Sequence, residues 1–224
     1  MKRTLFLLVL CLLVSPTAVK AQVTGVTGNA TLVPPPSSVE TGTGAESIVF
    51  AEQSLVLSSP INVDISGPGT YNSIASLTPG TIAAGSDVSS FYLHSWNSAD
   101  LTGTVYGGSI TFATPILGVE ALSSSLPVTN SVLGLPTTTY FTTAVGQGFE
   151  FGTQIDSLTI SGDTLSFLNE TFNAPDDLRI ITSAAAAPTP EPSILLMLGS
   201  GLLALVGLNL KRLATCHHTR LPQA

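Results

Sequence analysis

The central part of this 224-residue sequence contains very few basic residues. Between Gln22 and Thr189 it holds thirteen of the chain's fourteen carboxylates and a single cation, Arg179, so the segment carries a formal net charge of −12. Lysine and cysteine are absent from this segment, and its one histidine is His94. The other six basic residues and both cysteines lie near the two ends of the chain.

These absences exclude several classes of function for the central segment. Without lysine there is no Schiff-base or P-loop lysine, and without cysteine there is no thiol nucleophile, disulfide or thiolate zinc site. A single histidine excludes a multi-histidine metal site. Nucleic-acid binding is excluded as well, because it depends on Lys and Arg side chains that displace counterions from phosphates. We expect no cofactor.

The N-terminus has the pattern of a secretory signal peptide. Lys2-Arg3 is followed by the apolar run Leu5–Val14, and small or aliphatic residues precede Gln22. A short basic region, an apolar stretch of about 10 residues and a small residue before the cleavage site are typical of such peptides. We predict that residues 1–21 form the signal peptide and that signal peptidase cleaves between Ala21 and Gln22.

The C-terminus predicts a membrane-spanning segment. After a small-residue and proline linker at 183–189 come Pro190-Glu191-Pro192-Ser193, the apolar run Ile194–Leu210 and Lys211-Arg212. A helix from Ser193 to Leu210 would extend roughly 27 Å, just enough to cross the hydrocarbon core of a bilayer. The basic residues that follow place the tail, residues 213–224, in the cytoplasm by the positive-inside rule.

This arrangement resembles the PEP-CTERM sorting signal of Gram-negative bacteria. The matching parts are Pro190, Glu191, Pro192 and Ser193, the glycine-containing apolar run, and Lys211 and Arg212, so that the signal covers residues 190–212. The resemblance implies recognition and cleavage by an exosortase in bacteria that make exopolysaccharide. The tail from Leu213 to Ala224 is longer than such signals usually have. A plain C-terminal membrane anchor is the alternative.

The exported segment also resembles a group of exported bacterial proteins that carry this same signal. The resemblance rests on short stretches that include Ser66–Tyr71, Gly80–Gly85, Gly108–Phe112, Pro115–Val119 and Asp176–Ile181. It implies no activity.

The composition of the exported segment predicts an all-β domain. Residues 22–45 are rich in Gly, Thr, Pro and Ser and indicate a flexible lead-in, although a first strand inside it is an option. Residues 46–182 contain short apolar runs separated by turn residues, without sustained helical periodicity. One hairpin is predicted with its turn at Gly162-Asp163, between alternating strands. We predict an antiparallel β-sandwich of jelly-roll or Greek-key type.

One strand offers a candidate ligand site. Along Val88–Trp96, alternation places Tyr92, His94 and Trp96 on the same face. Aromatic side chains on one face, with an imidazole between them, would suit stacking against a sugar ring. The alternative is a central strand that is covered on both faces, with Trp96 near a loop, and this alternative is favoured.

The carboxylates are the other candidates. Two of them 5 to 10 Å apart could catalyse glycoside hydrolysis, and oxygen-rich loops could hold calcium, with Asp176 and Asp177 as the candidate ligands. Neither the glycosidase pair nor the calcium site has a recognisable motif. The favoured interpretation is therefore that these carboxylates are solvated charges on the surface, and no metal site is predicted. A Ser-His-Asp system would have to use His94, and Gly-x-Ser-x-Gly is absent. The candidates are Asp87, Asp100, Glu120, Glu150, Asp156, Asp163, Asp176 and Asp177.

Together these patterns predict an exported, non-catalytic protein of the cell surface or extracellular matrix. Its partners would be signal peptidase, an exosortase, the membrane through the C-terminal helix before processing, and exopolysaccharide. A carbohydrate-binding module that uses Tyr92, His94 and Trp96 is the first alternative. A glycosidase that uses a carboxylate pair is the second.

Overall fold

The computed structural model describes residues 22–99, 102–142, 146–152 and 154–185. The predicted signal peptide, sorting signal and tail lie outside these residues. The described strands and helices are β1 (Val23–Gly28), β2 (Ala30–Leu32), β3 (Ser47–Val56), β4 (Ile61–Val63), β5 (Gly69–Tyr71), a 3₁₀ helix (Ile74–Ser76), β6 (Gly80–Ile82), β7 (Asp87–Ser95), β8 (Thr104–Phe112), β9 (Ile116–Glu120), α1 (Leu126–Leu133), β10 (Ser157–Ser161), β11 (Thr164–Thr171) and β12 (Asp176–Ser183).

The strands form two five-stranded sheets and one small two-stranded sheet. Sheet 1 has the order β1-β8-β11-β10-β5, sheet 2 has the order β2-β3-β7-β12-β9, and β4 pairs with β6. Every pairing between these strands is antiparallel except that of β2 with β3. The described part of the chain is therefore mostly β with antiparallel sheets, which is compatible with the predicted all-β sandwich.

The predicted hairpin is confirmed. Ser161 pairs directly with Thr164, so that Gly162 and Asp163 form a two-residue turn between β10 and β11. Gly162 has a φ of 65°, a left-handed conformation that glycine adopts without steric cost. Inward-facing Leu158 and Ile160 alternate with polar residues along β10, as a strand with one buried face requires.

The main hydrophobic cluster contains side chains of both large sheets. Phe91 of sheet 2 packs against Phe112 of sheet 1 with ring centroids 4.8 Å apart. Leu178 and Ile180 of β12 belong to the same cluster and are completely buried. We call the face of each sheet that contributes to this cluster its inner face.

The outer face of sheet 2 is covered as well. Helix α1 turns Leu126, Thr129 and Leu133 inward, and Val39 and Tyr140 pack against Phe50 and Tyr92 of the sheet. In consequence β7 and β12 are buried on both faces for nearly their whole length. Polar side chains on this outer face must find partners within the protein, because buried polar groups without hydrogen bonds are costly.

Part of the predicted flexible lead-in is ordered, in keeping with the option of a first strand inside it. Residues 22–45 contribute β1, an edge strand of sheet 1, and β2, which pairs with β3. The Gly and Thr residues of β1 are compatible with a strand that has one exposed face, because its hydrogen bonds to β8 do not depend on large side chains. The lead-in is therefore partly ordered, and the β-structure begins at Val23 rather than near residue 46.

The structure also contains a helix in a stretch of the sequence that shows no sustained helical periodicity. Helix α1 has Pro127 in its first turn, a position that tolerates the missing N–H of proline, and ends before Gly134. It has only eight residues, too few for the periodic pattern to stand out. Among the described residues, no helix combines the length and apolar character needed to cross a membrane.

Candidate functional site

Arg179, the single cation of the central segment, lies completely buried on the outer face of sheet 2. Its Nε and Nη2 atoms donate to the two carboxylate oxygens of Glu52 at 2.9 and 3.0 Å. Its Nη1 atom donates to Thr129 Oγ1 at 2.6 Å and lies 3.4 Å from Glu120 Oε2. Helix α1 also supplies the Leu126 carbonyl and Asn130 Oδ1 as acceptors. We call Glu52, Glu120, Thr129 and Arg179 the arginine cluster.

The next residues along the same face form a second set of buried hydrogen bonds. Tyr92 donates its hydroxyl to Asp177 Oδ2 at 2.9 Å, and His94 Nδ1 lies 2.6 Å from Asp177 Oδ1. The other ring nitrogen of His94 lies 3.0 Å from the Thr41 carbonyl. The rings of Tyr92 and Tyr140 also lie against the guanidinium of Arg179, with centroids 5.2 and 5.5 Å from Cζ.

Burial governs the protonation of these groups. Burial raises the pKa of Glu120 to about 7, although the Arg179 guanidinium opposes this shift. Burial also raises the pKa of Asp177. Burial alone would lower the pKa of His94, but the Asp177 carboxylate reverses this and leaves the pKa of His94 raised.

The predicted sugar platform takes a different form in the structure. Tyr92 and His94 are buried, with 1% and 0% of their surface exposed, and both use their polar atoms on Asp177. Trp96 is half-buried, and its ring packs edge-on against Phe141 at 6.2 Å. In this arrangement Tyr92 and His94 offer no ring face to a sugar. The structure favours the alternative weighed above, a central strand covered on both faces.

A second group of carboxylates lies on the inner side of sheet 2. Oxygen atoms of Glu150, Asp156 and Asp176 lie within 4.8 Å of one another, and we call these three residues the acidic cluster. Asp156 and Asp176 are buried and Glu150 is half-buried. Glu150 and Asp176 line a cavity of about 210 Å³ together with Gln154, Glu170 and Thr171.

Hydrogen bonds connect the acidic cluster to two strands and a loop. Asp156 accepts the backbone N–H groups of Glu150 at 2.7 Å and Glu170 at 3.1 Å. Asp176 accepts Asn169 Nδ2 at 2.8 Å. Burial, together with the charges of Asp156 and Glu150, raises the pKa of Asp176 to about 10. The three carboxylates therefore cannot all be ionised near neutral pH without an added positive charge.

The predicted calcium pair, Asp176 and Asp177, is separated by the strand. Consecutive residues on β12 face opposite sides of the sheet, so Asp176 joins the acidic cluster while Asp177 binds Tyr92 and His94. Of the other predicted carboxylates, Glu120 belongs to the arginine cluster, and Asp87 and Asp163 are exposed. Asp100 lies outside the described residues.

The exposed face of sheet 1 carries an uncharged row of hydroxyl groups. Thr27, Ser109, Ser166, Thr159 and Thr70 are paired in sequence across all five strands. Thr27 and Ser109 share a 2.7 Å hydrogen bond, and Thr70 and Thr159 share one of 3.0 Å. Because neighbouring strands of a sheet lie about 4.8 Å apart, a row across five strands is roughly 19 Å wide.

A second row runs beside the first. Thr111 and Thr164 are paired and lie 3.1 Å apart through their Oγ1 atoms, with Gly25 and Ser161 at the two ends. We call the nine residues of the two rows the hydroxyl face. It contains no charged side chain and no aromatic side chain.

Two adjacent grooves lie beside helix α1. The larger one measures about 420 Å³ and is lined by Ser59, Asn62, Ser124, Ser125 and Val128, among others. Asp64 borders the smaller groove, of about 390 Å³, and its Oδ2 atom accepts the hydroxyl of Ser125 at 2.6 Å and two backbone N–H groups. Because this oxygen of Asp64 accepts three donors, we assign the carboxylate a structural role at the start of α1.

Comparisons with family models, with curated proteins and with solved structures gave no match for this chain.

Sequence reasoning missed the arginine cluster and the hydroxyl face. Arg179 was noticed as the single cation, but nothing in the sequence indicated that Glu52, 127 positions earlier, would bind it. The hydroxyl face needed the pairing of five strands, and strand order is not visible in alternating Ser and Thr. The sequence does carry one indication of the hydroxyl face: strands in which every second residue is exposed contain few charged residues.

Proposed function

We propose that this chain is an exported, non-catalytic protein of the cell surface or extracellular matrix. An exosortase would cleave it near Pro190-Glu191-Pro192, and the released domain would contact exopolysaccharide through its hydroxyl face. The observation that supports this most is the distribution of polarity. Most ionisable groups of the central strands bind one another inside the protein, whereas the hydroxyl face, on the exposed side of sheet 1, contains no ionisable side chain.

The boundaries of the described fold support the export part of the proposal. The Gln22 carbonyl accepts the Ala113 N–H at 2.8 Å, so that pairing with β8 extends to the first residue after the proposed cleavage site. Removal of residues 1–21 would leave β1 intact. At the other end, β12 ends at Ser183, immediately before the alanine and proline linker.

We also infer that the two large sheets form a β-sandwich of jelly-roll or Greek-key type. From β7 onward the chain passes from sheet 2 to sheet 1 at β8, returns at β9, crosses to sheet 1 for the β10–β11 hairpin and ends in sheet 2 with β12. Repeated crossing between two antiparallel sheets is typical of these folds.

Neutral hydroxyl groups suit contact with a neutral polysaccharide. They donate and accept hydrogen bonds, as sugar hydroxyls do, and they lose less on desolvation than charged groups would. Because the rows extend across five strands, many weak contacts could act along one polysaccharide chain. This mode of binding requires neither Tyr92 nor His94.

The processing claim is tested by expression in a Gram-negative bacterium that contains an exosortase and makes exopolysaccharide. The wild type and a variant with Pro190, Glu191 and Pro192 replaced by alanine are compared by cell fractionation and by mass spectrometry of the C-terminus. We expect the wild type to lose its C-terminal segment and leave the inner membrane, and the variant to keep both. Identical size and location of the two forms would contradict the proposal.

The binding claim is tested by sedimentation with purified neutral exopolysaccharide. Ser166→Lys places a long charged side chain in the middle of the hydroxyl face, and we expect it to reduce bound protein at least about fivefold, which corresponds to roughly 1 kcal/mol. Ser58→Lys, on an exposed loop away from this face, is the matched control and should bind like the wild type. Equal binding by all three proteins would remove the hydroxyl face as the contact surface.

The glycosidase alternative is favoured by one observation, since Glu150 and Asp176 line a common cavity. That cavity measures about 210 Å³, whereas ligand sites usually measure about 300–1,000 Å³. Asp176 is 2% exposed, which further restricts contact with a sugar. Release of reducing ends from exopolysaccharide by the wild type, abolished in Glu150→Gln, would establish the hydrolase and overturn the non-catalytic assignment.

A further inference from the structure

No basic side chain of the described residues lies beside the acidic cluster. Sequence positions 22–185 contain one basic residue, Arg179, and its side chain lies on the opposite face of sheet 2, bound to Glu52 and Glu120. His94 is on that opposite face too, bound to Asp177. Three carboxylates within 4.8 Å must therefore be neutralised by protons or by a bound cation.

Neutral oxygen atoms beside the cluster give an independent indication of a ligand. Asn169 is completely buried and touches Asp176 through Nδ2, yet its Oδ1 atom has no hydrogen-bond partner among the described residues. Oε1 of Gln154 also has no hydrogen-bond partner among the described residues. Thr171, 2% exposed, lines the same cavity as Glu150 and Asp176. Buried polar atoms of this kind usually have a partner, often a water or an ion.

We propose that this end of the domain binds one calcium ion. The ligands would come from the carboxylates of Glu150, Asp156 and Asp176 and from the side-chain oxygens of Gln154, Asn169 and Thr171. This proposal does not depend on the proposed function.

The composition of the site favours calcium over other metals. Calcium takes six to eight oxygen ligands in flexible geometry, and it accepts carboxylates and amide oxygens together. Magnesium requires a nearly ideal octahedron and usually retains several waters. Zinc and copper sites normally include histidine or cysteine, and neither residue type lies beside the acidic cluster in the part of the chain that the structure describes.

Calcium at this position would connect three parts of the fold. Glu150 and Asp156 lie in the segment before β10, Asn169 and Thr171 lie at the end of β11, and Asp176 begins β12. The backbone contacts of Asp156 already join the first two parts. A bound ion would add Asp176 to this junction and remove the repulsion among the carboxylates.

The test uses the purified full chain in detergent micelles, with thermal unfolding measured in EDTA, in calcium and in magnesium. We expect saturating calcium to raise the Tm by about 5 °C or more relative to EDTA, because a ligand that binds only the folded state stabilises it. Isothermal titration should give one calcium ion per chain. The absence of a calcium effect on the wild type, or an equal effect of magnesium, would overturn the calcium assignment.

Variants locate the site. Asp176→Asn keeps the shape of the side chain and should lose most of the calcium response, while in EDTA it should melt no lower than the wild type because the neutral amide needs no proton to be buried beside Asp156 and Glu150. Glu150→Gln provides a second, half-buried position at which the response should also fall. Asp87→Asn, at an exposed carboxylate, is the control and should respond like the wild type. A full response in both Asp176→Asn and Glu150→Gln would overturn the placement.

Discussion

The arginine cluster and the acidic cluster lie on opposite faces of sheet 2 and differ in how their charge is balanced. Arg179 and Asp177 face one side of β12, and Asp176 faces the other. On the first side, two glutamates share a guanidinium that donates two hydrogen bonds to one of them. On the second side, three carboxylates meet, and none of the described residues adds a basic side chain. A domain with one cation can balance only one of two buried acidic groups with its own residues.

Buried carboxylates therefore have opposite effects on stability on the two faces of sheet 2. In the arginine cluster the guanidinium holds the sheet, helix α1 and the tyrosine rings together, so removal of Arg179 should destabilise the fold. In the acidic cluster the carboxylates disfavour one another's ionisation, so replacement of one by a neutral amide should do no harm in the absence of a cation. The following substitutions test this contrast, beginning with the largest expected effect.

Arg179→Met should have the largest effect. It leaves Glu52 and Glu120 buried without their cation, and breaking a buried pair in this way costs about 3–5 kcal/mol. Urea unfolding of the full chain in micelles measures the loss. Arg179→Met combined with Glu52→Gln should recover part of it, because the uncompensated charge is removed as well. A loss below about 1 kcal/mol for Arg179→Met would contradict a structural role for the cluster.

Tyr92→Phe should cost less. It removes the hydroxyl that donates to Asp177 at 2.9 Å, and a hydrogen bond to a charged group is worth about 1.5–3 kcal/mol. The matched control is Tyr71→Phe, another buried tyrosine, whose hydroxyl donates to the Gly67 carbonyl at 2.7 Å. A neutral acceptor predicts a loss of about 0.5–1.5 kcal/mol. If Tyr71→Phe were the more damaging change in urea unfolding, Asp177 would not be the charged acceptor that we describe.

Glu120 should make stability depend on pH. Its pKa in the folded state is about 7, above the ordinary value of 4.5, so the folded state holds the proton more tightly than the unfolded state. The resulting stability is complete below pH 4.5 and is lost as the pH rises through 7, with a slope of at most about 1.4 kcal/mol per pH unit.

Glu120→Gln should flatten this part of the profile. The measurement is the free energy of unfolding from pH 4.5 to 8 for the wild type and the variant. Glu40→Gln, an exposed glutamate, serves as the control and should retain the slope of the wild type. The interpretation fails if the difference between the wild type and Glu120→Gln does not change with pH.

Ser166→Ala should have the smallest effect on stability. The side chain is exposed in the middle of the hydroxyl face, so its removal should change the free energy of unfolding by no more than about 0.5 kcal/mol. Urea unfolding measures this change. A loss comparable to that of Tyr92→Phe would show that the hydroxyl rows hold sheet 1 together, which would weaken their assignment as a contact surface.

The antiparallel β class and the β10–β11 hairpin could be predicted from the sequence because both are local. Alternation along Leu158–Leu168 and the Gly162-Asp163 turn depend on neighbouring residues alone. For the lead-in, the sequence allows a first strand but does not indicate its partners, because the stability of these strands comes from pairing with β8 and β3 rather than from their own side chains. Helix α1 was too short to give a periodic signal.

The candidate sites were harder to predict because they depend on contacts between distant residues. Alternation correctly predicted that Tyr92 and His94 lie on one face. It could not predict that α1 and Tyr140 cover that face. Asp176 was identified as a candidate calcium ligand beside Asp177. Its neighbours in space are instead Glu150 and Asp156, which lie 26 and 20 positions earlier in the sequence.

The central claim is that two consecutive aspartates of β12 have opposite effects on stability. The most direct test is the free energy of unfolding of Asp176→Asn and Asp177→Asn, each measured in EDTA against the wild type. We predict that Asp177→Asn is destabilised by roughly 2 kcal/mol, because Tyr92 and His94 lose a charged acceptor, whereas Asp176→Asn is as stable as the wild type or more stable. Equal losses in both variants would contradict the account.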